Sequence, residues 1–245
     1  MYNSQHIPEP CVGITTGGDI KAILDATDVK AVVAAMFSCR CCDLVQASAC
    51  GALYQLMTDN AENTTNAWTA GALKAMVDAM RGYAGNVSLQ GRACQVLYAM
   101  NKNNPEKGER AGEMGAIVVV AGALRAGSCT KRGNGRVGWG GQAMRYLASC
   151  NMKRKVQVGN VGSIEPMVAV MRMHPQNHGV QQSACGALHN STSANADNKF
   201  RAGKAGAVQA VVVAMRGHRG SEKVQQRACV ALNTTVAPPA TQGIK

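Results

Sequence analysis

The residues best suited to chemistry are few, and their spacing serves it poorly. Gly133-x-Gly135-x-x-Gly138 spells the string that cradles a dinucleotide pyrophosphate at a helix N-terminus. That chemistry needs a preceding strand and an acid about 20 residues on, and the nearest later acid here is Glu165. The string reads as a turn-forming loop. Cys39, Cys41 and Cys42, with Cys11, offer soft metal ligands. Cys-Arg-Cys-Cys lacks the two spaced pairs of a zinc site, so these read as incidental thiols at a helix end. His174 and His178 stand four apart, but Pro175 and Gly179 place them in a loop without a third ligand. The 14 carboxylates are scattered, and no Ser/His/Asp or Cys/His order carries a local signature. The sequence predicts a protein that is not an enzyme and holds no cofactor and no metal.

Charge is the stronger signal. The formal net charge is +12, and it is divided unevenly. Residues 1–70 hold three Lys/Arg against seven Asp/Glu, whereas residues 71–245 hold 23 against seven. Basic clusters recur at Lys153-Arg154-Lys155, at Lys199, Arg201 and Lys204, and at Arg216, His218, Arg219, Lys223 and Arg227. Arg125, Lys131, Arg132 and Arg136 share one acid-free stretch. Such asymmetry predicts an acidic partner: a protein, the phosphates of a nucleic acid, or an anionic lipid surface.

The elements that carry these residues repeat. Gly71-Ala-Leu, Gly115-Ala-Ile, Gly162-Ser-Ile and Gly206-Ala-Val open four segments at spacings of 44, 47 and 44 residues. An earlier copy, from Thr27, lacks the glycine. Each segment places apolar residues at i, i+3, i+4 and i+7, the stripe of an amphipathic helix; Leu73, Met76, Val77 and Met80 are one set. A second stripe follows at i, i+4, i+7 and i+8, as in Val180, Ala184, Ala187 and Leu188. Just after its Ala, four units carry Cys50, Cys94, Cys185 and Cys229, placed as small core hydrophobes. Eight residues separate the two stripes in four units; the third has 14, from Arg125 to Gly138, an insertion predicted to form a surface loop.

Two strings, Val180-Gln-Gln-Ser-Ala-Cys-Gly-Ala-Leu-His-Asn190 and Asn198-Lys-Phe-Arg-Ala-Gly-Lys-Ala-Gly-Ala-Val208, resemble the armadillo repeat. The resemblance covers about residues 20–237. It implies an all-α, right-handed α-solenoid of about five three-helix repeats, in which a short first helix leads through glycine into a second and a longer third helix lines a concave face. It also implies a non-enzymatic scaffold, adaptor or structural subunit of a larger assembly. Peptide-binding members, importin-α among them, carry a Trp-x-x-x-Asn ladder on the third helices. The matching pairs here are Gly51/Gln55, Gln95/Ala99, Arg145/Ser149, Gly186/Asn190 and Val230/Thr234, so Asn190 alone survives and no Trp does. Their acidic grooves for basic signals also have no counterpart in a basic array. Candidate partner-binding residues are therefore Gln55, Gln95, Arg145 and Asn190 on the third helices. To these are added Arg125, Lys131, Arg132, Arg136, Lys153, Arg154 and Lys155 on the basic edges.

Composition agrees. Hydrophobic residues form 46% of the 245-residue chain and aromatics 4%, so the core is built from small and aliphatic side chains. With two Trp, five Tyr and two Phe, several at core positions, base stacking is poorly served and any nucleic-acid contact would run through phosphates. No apolar run reaches a membrane span, and the polar start shows no signal peptide, although a removed targeting peptide stays open. Unpaired thiols imply a reducing, intracellular compartment, cytoplasmic by default with an organelle left open. The expected organisation is an extended arm over 1–19, repeats over 20–70, 71–114, 115–161, 162–205 and 206–237, and a tail over 238–245.

Overall fold

The computed structural model describes residues 21, 23, 25–102, 105–126, 139–148 and 152–236. The expected arm over 1–19, the tail over 238–245 and the insertion residues Lys131, Arg132 and Arg136 lie outside them. All regular structure among the described residues is α-helical. In chain order the helices are α1 (Val29–Ser38), α2 (Asp43–Met57), α3 (Ala61–Thr69), α4 (Ala72–Gly82), α5 (Val87–Asn101), α6 (Pro105–Glu113) and α7 (Ala116–Arg125). They continue with α8 (Trp139–Leu147), α9 (Met152–Asn160), α10 (Ile164–Met173), α11 (His178–Thr192), α12 (Ala196–Ala205), α13 (Ala207–Gly217) and α14 (Glu222–Thr235).

The grammar is a short helix, a left-handed glycine, a second helix and a third. Gly71, Gly115, Gly162 and Gly206 all have positive φ, from 61° to 89°, which L side chains adopt only at a cost. That turn lets a first helix end and a second begin within one to three residues. Asn86, Asn177 and Ser221 cap α5, α11 and α14, each accepting from a backbone N–H three residues on.

A recurring glutamine locks each second helix to the third that follows it. Gln46, Gln90, Gln181 and Gln225 each donate through Nε2 to the carbonyls ten and seven residues back, at 2.8–3.0 Å. These carbonyls, such as Met80 and Tyr83, lie at the C-terminal end of a helix and lack intrahelical donors. The third unit has Gly140 at that position, and there the six-residue insertion separates α7 from α8. Gln90→Leu is expected to leave the buried Met80 carbonyl without this donor, while the Tyr83 carbonyl keeps the Asn86 N–H, and to cost about 1–2 kcal/mol; urea unfolding of the variant measures it.

No unit encloses its own apolar stripe. Third helices pack on one another in the order α2, α5, α8, α11, α14, and second helices in the order α1, α4, α7, α10, α13. Contact along the third helices is the denser, and in an armadillo-type solenoid this row lines the concave face. The fold is thus an all-α solenoid. Cys50, Cys94 and Cys185 are buried as expected, and burial pushes the thiols of Cys50 and Cys185 up to about 12. Buried thiols of this kind are protected by packing, so they do not report on a compartment. Cys41 corrects the reading of its cluster as incidental thiols, because it is disulfide-bonded. It sits half-buried at the α1–α2 turn, where a sulfur is reachable, whereas Cys39 is buried. No helix among the described residues is long and apolar enough to cross a membrane.

Candidate protein-binding face

The inner row of third helices carries what the sequence left dispersed. Tyr54 on α2, Tyr98 on α5, and Trp139 and Tyr146 on α8 form one chain of ring contacts. The centroid distances are 5.8 Å for Tyr54–Trp139, 5.1 Å for Tyr98–Trp139 and 5.5 Å for Tyr98–Tyr146. The first and last are edge-on, the arrangement favoured by ring quadrupoles. The Arg145 guanidinium lies 4.2 Å from the Tyr146 centroid. Burial raises the Tyr98 phenol above its ordinary range; Tyr146 adds to this and Arg145 opposes it. All four rings are half-buried, so each keeps an open surface. Trp139 Nε1 is buried yet finds no acceptor.

Sequence reasoning missed this cluster. Tyr54 and Tyr98 share a repeat position 44 residues apart, which was a legible signal. Trp139 holds a position where other units place buried Val45, Leu89, Val180 and Val224. A side chain so large is only half-buried there, and it reaches the tyrosines of two preceding units.

The ladder positions are not a bare groove. A Cβ on Gly51 would collide with the Arg92 guanidinium, and one on Gly186 with the Arg145 side chain. Glycine at these two sites admits an arginine from the next or preceding third helix. Arg145 also donates from Nη2 to Gln142 Oε1 at 3.3 Å. Asn190 Nδ2 donates to the Arg145 carbonyl at 2.7 Å, so the surviving ladder asparagine ties α11 to α8. Gln55 is exposed on α2, and Gln95 is half-buried on α5.

The basic edge divides into engaged and open residues. Arg125 donates to the Val161 and Gly162 carbonyls, so it fastens α7 to the glycine turn of the next unit. Arg81 and Arg172 do the same at Met114 and at Ala205 and Gly206. Lys155 Nζ donates to the Ser193 carbonyl at 3.0 Å, while Lys153 is exposed. Arg154 lies on α9, its side chain outside the described residues. Asn198, only 2% exposed, bridges the Lys155 and Ser191 carbonyls and so joins α9, α11 and α12.

His189 borders this inner row at the Tyr54 and Tyr98 repeat position. Burial lowers its pKa from 6.5, with Lys155 and Arg227 adding to the effect and a backbone hydrogen bond at Val230 opposing it. The unfolded chain therefore binds a proton here that the folded chain resists. Stability from this site is present above about pH 6.5 and falls as pH drops through the folded value. Thermal melts from pH 8 to pH 5 should show the wild type losing more stability than His189→Gln.

These features define an armadillo-like helical repeat fold, and comparison with solved structures gives the same fold. The chain is similar to an engineered protein at 24% identity and a TM-score of 0.68, over 90% of this chain and 86% of that one. A designed armadillo repeat protein in complex with the peptide (KR)4 matches at 21% identity and a TM-score of 0.65, over 89% and 86% of the two chains. Computationally designed armadillo repeat proteins for modular peptide recognition match at 20% identity and a TM-score of 0.66, with the same coverage. No protein-family model matches the sequence, and no curated protein does at a significant level.

Proposed function

We propose that this chain is a non-catalytic scaffold whose inner face holds a segment of an acidic protein partner. The observation that carries the reading is the Tyr54–Trp139–Tyr98–Tyr146 cluster with Arg145 at its edge and an unsatisfied indole N–H within it. Half-buried aromatic rings beside an arginine are the composition of binding hot spots, because they release much water at little entropic cost. The designed armadillo repeat protein in complex with (KR)4 offers a precedent for peptide binding by this fold. The partner here must differ in charge, since residues 71–245 carry 23 Lys/Arg against seven Asp/Glu. Lys153 and the other open cations would steer an acidic segment to the face. On this reading the protein works as part of a larger complex.

The test is affinity capture of the tagged chain after nuclease treatment, at moderate salt, with Trp139→Ala and Tyr98→Ala in parallel. A discrete protein partner retained by the wild type and reduced at least tenfold by both variants supports the reading. The same aromatic cluster favours one second reading, in which bases stack on the rings and phosphates meet the lysines. Its signature is recovery of nucleic acid before nuclease, complete loss of partners after it, and a fall in affinity of several orders between about 50 and 200 mM salt.

A further inference from the structure

The two ends of the array differ. At the start, Val29, Val32, Val33 and Met36 of α1 are each 1% exposed, and Ile23 belongs to the same core. At the other end several repeat positions that are buried everywhere else are only half-buried or exposed. Val208, Val212 and Met215 on α13 are half-exposed, whereas their equivalents Leu73, Val77 and Met80 are buried. Leu232 is half-exposed where Leu53, Leu97, Leu147 and Leu188 are buried. Cys229 is exposed, but Cys50 in the first unit is buried with its Sγ 3.5 Å from Met76 Sδ on the next second helix. Each open position is thus one that a following helix pair covers in the earlier units.

Arg216 gives the same answer by a different route. Its equivalents Arg81, Arg125 and Arg172 each donate to backbone carbonyls at the glycine turn of the following unit. Arg216 is exposed and meets no such carbonyl among the described residues. Arg219, Lys223 and Arg227 follow it in sequence, and Glu222 is the sole acid in residues 206–236.

We propose that the α13–α14 end is a docking surface for an armadillo-type helix–glycine–helix segment of another protein, one whose flanks are acidic. The apolar stripe would cover Val212, Met215, Cys229 and Leu232, and the carbonyls of its glycine turn would accept from Arg216. A second copy of this chain is the poorer occupant. Its α1 stripe is already covered, and an end-to-end pairing of two α14 faces would set Arg216, Arg219, Lys223 and Arg227 against their own images. This surface is separate from the aromatic face and stands whether or not that face binds a partner.

Cys229 supplies the readout, through its rate of alkylation followed by peptide mass mapping. The probe is a synthetic peptide of residues 59–82, the natural helix–glycine–helix of the first junction, with three acids and two bases. To remove any dependence on the probe's own folding, the segment extended to residue 101 is also fused after Val236, at high effective concentration. Fusion should slow Cys229 alkylation at least tenfold, and Arg216→Ala should weaken protection by the free peptide several-fold. A free peptide of residues 194–217, with one acid and four bases, should protect less well. Protection by fusion without protection by the free peptide still supports the surface, as the fusion removes the cost of assembly. Unchanged alkylation in the fusion overturns the proposal, and equal protection by both peptides overturns its acidic flank. Protection that grows with protein concentration alone overturns it in favour of self-association.

Discussion

Leu97→Ala is expected to destabilise the array by about 2–5 kcal/mol, whereas Leu232→Ala, at the same repeat position, should cost about 1 kcal/mol. Leu97 is fully buried on α5, between the third helices of the units on either side. Truncation there removes about three carbons' worth of transfer energy and leaves a cavity that rigid neighbours cannot fill. Leu232 lies on the last third helix and is only half-buried, so water already wets part of it. Chemical denaturation of the two variants measures the contrast. Because each repeat is stabilised by its neighbours, the central variant should also broaden or split the transition, while the terminal variant should leave it sharp. Equal losses at both sites would mean that the end is covered in solution.

Gly206→Val is expected to be the next most damaging, at about 2–3 kcal/mol. Two effects add. At φ 76° a branched side chain carries a backbone penalty of about 1–2 kcal/mol. A Cβ at this site also collides with the Arg172 guanidinium, which donates to the Ala205 carbonyl at 2.8 Å and to the Gly206 carbonyl at 3.5 Å. Displacing it forfeits roughly one hydrogen bond's net contribution, about 1 kcal/mol. A double-mutant cycle with Arg172→Ala separates the two: the arginine should matter in the wild type and not in the valine variant. Gly203, on the same helix stretch with open space around its position, is the control, and Gly203→Ala should be neutral or stabilising.

The open arginine and the aromatic face bear on one biological reading. On the two proposals above, the aromatic inner face and the α13–α14 end are separate surfaces at which to join partners.

Much of the fold was legible because its determinants are local and repeated. The glycines recur at fixed spacing since a left-handed turn admits little else, and the apolar stripes follow the helical period. All five pairs of second and third helices lie where the stripes placed them. The glutamine of Gln46, Gln90, Gln181 and Gln225 was equally visible as a repeated letter, but its meaning was not. Only the fold shows that it faces the end of the preceding helix.

The sequence by itself determined the period, the helix types, the stripe that each helix buries and the unequal division of charge. These depend on residue spacing within one or two turns and need no partner from elsewhere in the chain. Tertiary structure alone decided what each exposed-looking residue does. It turned Arg125 and Asn190 onto backbone carbonyls, drew four aromatic rings from three units into contact, bonded Cys41, and left Arg216 and Cys229 open. Those outcomes depend on stacking geometry between residues tens of positions apart. The same letter at the same repeat position is buried in the middle of the row and bare at its end, because burial is set by the neighbour and not by the residue.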